Sequence, residues 1–487
     1  MVTTKGPKIN YSNRNFTTRD NLGINAAGTS FQAELCPVIN TVTPRAFYWA
    51  FATWNYYDYW QNYKTDKRSS NDFELNFLKR NDYFFVLANL LTPGSDRDNL
   101  VGKDNCAPDI RNNGPYMYNR KYFKSHYGGM QYYVPGCVAL GIITETDNEG
   151  NAFTLPKLTE KIGLPIALAF EDAIKDTEYY RSYRLADIPV PKSVLEELGT
   201  KMDLSMDKMA ECKRLLRDVF FTPTRTILLD NENLILSKEY LLFLEREFGI
   251  KGANSAKMRE ILYDHFSPGG AYDHSLPDNL RGIATAWEVA IGRQYFTLAI
   301  ELMWKYMLLE LTTPMNISTW IEHCLQHSSW SIKLTESLNS IVEKAYFDFE
   351  TRETMLANGY RGSKNVAKNL ENGLLVLLSV CNHFMHREDV SELQLSVGGS
   401  SSVLSMSEKV QEYAARPVAD FVAYLMSEWI LKRHEAVAFR KMVEGRDGYF
   451  IEKIDGKYHH KSDAYPDFTG NRLMQLKSVM IDLDVME

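Results

Sequence analysis

Four histidines sit on two helix-patterned stretches at spacings that suit metal coordination. His323 and His327 are four apart with Cys324 beside them, and His383 and His386 are three apart, followed by Glu388 and Asp389. On antiparallel neighbouring helices such side chains can share one ion. The residue after His323 is cysteine rather than glutamate, so the metalloprotease helix pattern is absent. With no complete ligand set in view, the expectation is a chain without bound metal. Arg-x5-His, a spacing used by some helical ribonucleases, occurs at Arg120–His126 and Arg259–His265, but chance placement of the arginines and ten histidines produces as many pairs. No nucleophile elbow, dinucleotide-type glycine fingerprint or phosphate loop occurs, so no cofactor is expected.

Binding chemistry has more to work with. Between Phe47 and Tyr63 ten of seventeen residues are aromatic, with no glycine or proline. A helix apolar all round is surrounded by protein or by a partner. A central core helix is the first expectation, and Trp49, Trp54, Tyr57 and Trp60 are the candidates for a partner or base-stacking surface. Basic residues gather in two places. Arg120, Lys121 and Lys124 alternate with Tyr118, Tyr122, Phe123 and Tyr127. From Glu428 to Lys477 ten Lys and Arg face eight Asp and Glu, a local +2 in a chain of net −7. There Arg433, Arg440, Lys441, Lys453, Lys457, Lys461 and Arg472 are the candidates for phosphate contact, which needs several charges on one face.

The elements that must position these residues read as mainly helical. Helices are expected near 22–36, 44–63 and 72–91, the last ended by Thr92-Pro93-Gly94. A long Asp/Asn/Gly/Pro-rich loop follows, Ser95 to Met117. A helix over Arg120–Leu140, a hairpin turning at Asp147–Asn151 and a helix over Ile162–Ile174 give the chain order of a winged helix. A similar order recurs where a helix over 418–443 leads to a hairpin with Asp455-Gly456 at its turn and then to a helix over about 469–482. The middle is helical in pattern, including Ser205–Phe220, Lys238–Phe248, Ala284–Leu311, Ser329–Tyr346 and Ala367–His386. At 487 residues the chain is too long for one core. The expected fold is a multi-domain helical protein with two small hairpin-bearing, winged-helix-like modules. Its parts are an N-terminal helical domain (1–190), a helical middle (191–395) and a C-terminal helix-hairpin-helix module (396–487) after a Gly/Ser-rich linker from Ser396 to Val403. Residues 1–20 read as a loosely docked arm.

Asp20-Asn21-Leu22-Gly23-Ile24, followed by Asn40-Thr41-Val42-Thr43-Pro44-Arg45-Ala46-Phe47-Tyr48, resembles the opening of a loose group of bacterial proteins encoded in phage-defence islands beside nucleases or helicases. The segment from Phe468-Thr469-Gly470-Asn471-Arg472-Leu473 through Leu483 is similar to their closing segment. So is the order of Leu140-Gly141-Ile142-Ile143, Leu158-Thr159 and Gly163. The group often has another small polar residue where Pro44 stands here, and no catalytic residues carry over from it.

Six scattered cysteines without a CxxC pair, no apolar leader and no apolar run near the roughly 18–20 residues of a membrane span point to a cytoplasmic protein without a membrane partner. The functional expectation is a non-catalytic subunit of a bacterial antiviral system that binds DNA or RNA, a partner nuclease or helicase, or both. A metal-dependent or ribonuclease-like helical effector and a purely structural scaffold are the alternatives.

Overall fold

The computed structural model describes residues 20–62, 77–122, 128–147, 149–224, 229–264, 275–345, 347–357, 366–385, 387–396, 402–443, 448–466 and 468–486. The arm at 1–19, most of the linker, Lys124, His126, His265 and His386 lie outside them. The chain is mainly helical, and among the described residues the sheets are two antiparallel hairpins, β1 (Ile143–Thr146) with β2 (Ala152–Leu158) and β3 (Ile451–Ile454) with β4 (Lys457–His460). No helix among the described residues is long and apolar enough to cross a membrane.

Packing divides the chain differently from the three consecutive domains expected. Described residues within Met1–Leu35 and Ala253–Gly470 form one unit, and those within Cys36–Gly252 and Asn471–Glu487 form a second. The helix after β4, Arg472–Asp482, thus belongs to the second unit while the β3–β4 hairpin belongs to the first.

The second unit is built around the aromatic helix Phe47–Asn62. Its rings meet neighbours on every side: Phe47 stacks on Phe85 at 4.4 Å, Trp54 on Phe170 at 5.4 Å, and Trp49 meets Tyr133 and Phe220 edge-on at 4.6 and 5.0 Å. Truncating such a side chain to alanine costs about 3–5 kcal/mol. β1 and β2 lie beside this core. The bare backbone of Gly163 lets the helix Gly163–Ile174 begin against β1, because a Cβ there would stand 2.0 Å from the Ile142 carbonyl oxygen. Thr159 closes the corner, its hydroxyl donating to Gly141 O at 2.6 Å. Within the span of the helix expected over Arg120–Leu140, the described residues hold a 3-10 turn, Gly128–Tyr132, and a short helix, Val134–Ala139. Gly128-Gly129 and Pro135 weaken the helix, and buried Asp82 draws in the Gly129 N–H (2.9 Å) and the Tyr122 hydroxyl (3.0 Å).

In the first unit the 33-residue helix Asp278–Glu310 is buried along most of its length and packs on Asn369–Phe384, Asn25–Leu35 and Ser255–Asp264. Gly373 lets the backbones approach, since a Cβ there would meet Ala299 O at 2.6 Å. Asp20 caps Asn25–Leu35 by accepting from the amides of Ile24 (3.0 Å), Asn25 (2.8 Å) and Ala26 (3.0 Å). The helix expected over Ser329–Tyr346 shrinks to Leu338–Val342. Buried Glu371 holds the preceding loop by accepting from Ser331 N, Ser331 Oγ and Ile332 N. A carboxylate offering three local acceptances outcompetes helix formation there.

Candidate functional site

The helix that carries Arg433, Arg440 and Lys441 runs from Val418 to Val443 through a π-helical stretch at Leu425–Leu431. Its last three turns bury His434, Val437, Ala438 and Lys441. The opposite face leaves Phe439 58%, Met442 51% and Val443 71% exposed. Beyond it, Asp455 and Gly456 take φ of 49° and 77°, the left-handed pair of a tight two-residue hairpin turn. Tyr458 in β4 anchors the hairpin by donating to Glu435 Oε1 at 2.9 Å and by paired backbone bonds with Met315 at 2.7 and 3.2 Å. Between helix and hairpin opens a groove of about 550 Å³. Phe439, Met442, Tyr449 and Ile451 give it apolar walls, and Lys453 and Lys461 stand among its lining residues.

The predicted cations separate into two groups here. Lys453 and Lys457 are exposed at the hairpin, with the Lys453 ammonium 5.1 Å from the Tyr458 ring centre, and Arg440 is half-buried on the helix. Arg433 lies over the Trp429 ring at 4.3 Å. Lys441 and Arg472 are corrections to the phosphate-contact set. Lys441 is buried and donates to Asp20 O at 2.9 Å. Arg472, in the second unit, donates to Ile39 O, and burial lowers its pKa. Both cations serve the interior. Arg120 and Lys121 are exposed, also in the second unit.

The aromatic candidates for a partner surface are placed as core. Trp49 and Trp54 are enclosed, so a partner cannot reach them in this conformation. Tyr57 and Trp60 keep an accessible edge, and Trp60 is committed locally, its Nε1–H donating to Pro156 O at 3.0 Å beneath the Lys157 ammonium.

Among the described residues His383 does not join His323 and His327 as the two-helix metal idea required. His383 Nε2 sits 2.7 Å from Glu288 Oε1, with its ring stacked on Tyr263 at 4.3 Å and the Arg387 guanidinium 2.6 Å from the same oxygen. Nearby, Arg259 grips Glu353 with two donors, Tyr295 donates to that carboxylate at 2.8 Å, and Arg352 pairs with Asp264. Arg259 of the Arg259–His265 pair is therefore an internal ion-pair partner. His323 and His327 instead lie ring on ring, centroids 3.9 Å apart, with His323 Nε2 3.1 Å from Glu310 Oε2. A further histidine, His434, is enclosed beside Trp304. It accepts from Phe450 N through Nε2 at 3.1 Å, and its Nδ1 faces Asn21 O at 3.3 Å. All six cysteines are buried free thiols.

Comparison with models of protein families, with curated proteins and with solved structures finds no match to this chain.

Sequence reasoning missed Phe439 and Met442 at the groove and Glu310 beside the histidines. The first two had a signal. Phe439 and Met442 stand three apart on the face opposite Val437, Ala438 and Lys441, so the stretch has apolar residues on both sides. Glu310 had none, being thirteen residues from His323 on another helix.

Proposed function

We propose that this chain is a non-catalytic binding subunit of a bacterial antiviral system, and that the groove beside the β3–β4 hairpin receives single-stranded nucleic acid. The observation that carries this reading is the exposed Phe439 in a groove edged by Lys453 and Lys461, with Lys457 at the adjoining turn. An aromatic face with ammonium groups beside it binds single strands by stacking and by phosphate contact, with little dependence on sequence. The resemblance to proteins encoded beside nucleases and helicases supplies the antiviral setting.

Fluorescence anisotropy with labelled single-stranded DNA and RNA across a salt series tests it. Binding should weaken with salt, with a log–log slope of about 0.7 for each phosphate contacted. K453E/K457E/K461E should abolish it, and F439A should weaken it by about 1–3 kcal/mol. Binding that survives the triple change would move the contact to Arg120 and Lys121. No binding at low salt would favour the second occupant that Val443, Met442 and Phe439 suit, an apolar segment of a partner nuclease or helicase.

A further inference from the structure

We propose that Glu310, His323 and His327 form a divalent transition-metal site, for which zinc is the best-matched ion. The site is independent of the groove, and it goes against the expectation of a chain without metal.

The scaffold is local and rigid. The long helix ends at Glu310, and the next helix, Ile317–His327, starts at Asn316, whose side chain caps it by accepting from Thr319 N at 2.9 Å. The two are pinned by Trp320, fully buried, which donates through Nε1 to Met307 O at 2.9 Å. His323 and His327, one turn apart, project from the same side of their helix toward Glu310. Cys324 is on the buried side.

One ligand atom from each of the three side chains lies within 4.8 Å of the other two. Metal–ligand bonds of about 2.0–2.2 Å at tetrahedral angles hold donors about 3.3–3.5 Å apart. His323 Nε2 and Glu310 Oε2 are already at 3.1 Å, so it is the His327 ring that has to close on them. Its tautomer is favourable. His327 Nδ1 lies 2.8 Å from the His323 carbonyl oxygen, which can only accept, so the proton is on Nδ1 and the lone pair on Nε2. A backbone carbonyl orienting the far nitrogen is the usual support of a metal-bound imidazole.

The charge balance points the same way. Among the described residues no Lys or Arg pairs with Glu310, and a divalent ion would supply the positive charge that a carboxylate and two neutral imidazoles lack. Two histidines and one glutamate are a known zinc ligand set that leaves a fourth position for water. His327 is exposed, so an ion has a route in from solvent.

Calorimetric titration of the full chain with zinc, after chelator treatment and dialysis, tests the assignment, together with visible absorption of the cobalt-loaded protein. One equivalent should bind, with cobalt bands of a four- or five-coordinate site. His327→Ala, at an exposed position, and Glu310→Gln should each weaken binding by more than the 10–100-fold that loss of a supporting partner costs. His460→Ala, a surface histidine paired with Asp463, is the control and should bind as the parent does. Circular dichroism melts confirm that each variant is folded. Failure to bind zinc at micromolar concentration, or one equivalent that survives both ligand substitutions, would overturn the proposal.

Discussion

Two carboxylate–histidine pairs hang from the same long helix and are balanced in different ways. Glu288, 1% exposed, meets His383 and also Arg387, so its counter-charge is a permanent guanidinium built into the fold. Glu310, nearer the surface, meets His323, and a second imidazole lies where the first pair has arginine. Deep in the protein a carboxylate must be held by a fixed cation, as Glu288 is, or by polar donors, as Asp82 is. Near solvent the same group can leave its neutralisation to a proton or a metal ion. The inner pair is structure; the outer one is open to exchange.

The largest effect should come from breaking the inner pair. Glu288→Ala leaves His383 without its carboxylate and Arg387 with Asp389 alone, and should cost up to about 3–5 kcal/mol in urea denaturation. A loss below about 1 kcal/mol would mean that water reaches Arg387, and the contrast between inner and outer sites would collapse.

His434 sharpens the contrast as a buried histidine with no carboxylate at all. Burial is the main reason its pKa is pushed down to about 4. The Phe450 amide on its Nε2 agrees, because an acceptor nitrogen carries no proton. The unfolded chain takes up this proton near 6.5 and the folded chain only near 4. Stability should therefore fall as pH drops through that window, by up to about 3 kcal/mol. Denaturation midpoints at pH 7 and pH 4 measure the fall, which His434→Gln should reduce. An unchanged slope in that variant would place the acid sensitivity elsewhere.

The smallest effect belongs to the outer pair. In metal-free protein Glu310→Gln should change stability by less than about 1 kcal/mol, as for other part-exposed ion pairs. With zinc at about 100 times its dissociation constant the parent should gain about 2.7 kcal/mol and the variant almost none. Equal gains in both would make the two carboxylates alike after all.

What the sequence disclosed follows from how local each cause is. Asp455-Gly456 dictates its own turn, so Lys453 and Lys457 could be placed on exposed hairpin strands from composition alone. The aromatic run dictates a buried helix, and its first expectation was a core. Lys441 and Arg472 were counted as surface charge because a charge count cannot say which face of a helix looks inward. The loop before Leu338 was hidden because its cause, Glu371, is forty residues beyond Ser331. The segments around Asp20 and Arg45 divide in the same way. Asp20 acts locally as a helix cap, whereas Arg45 acts at long range. Its guanidinium takes both oxygens of Asp482 at 3.0 Å, and Asp482 Oδ2 also accepts from Ala46 N at 2.8 Å.

That last contact sets an order of events during synthesis. Arg45 leaves the ribosome early, but its buried partner follows only after all of Ala253–Gly470 has been translated. Until then the Arg45 guanidinium lacks Asp482 and, among the described residues, has the Asp96 carboxylate to pair with. A chain stalled before Asp482 should accordingly be open to protease around Arg45, while Asn25–Leu35 and the long helix are free to fold together ahead of it.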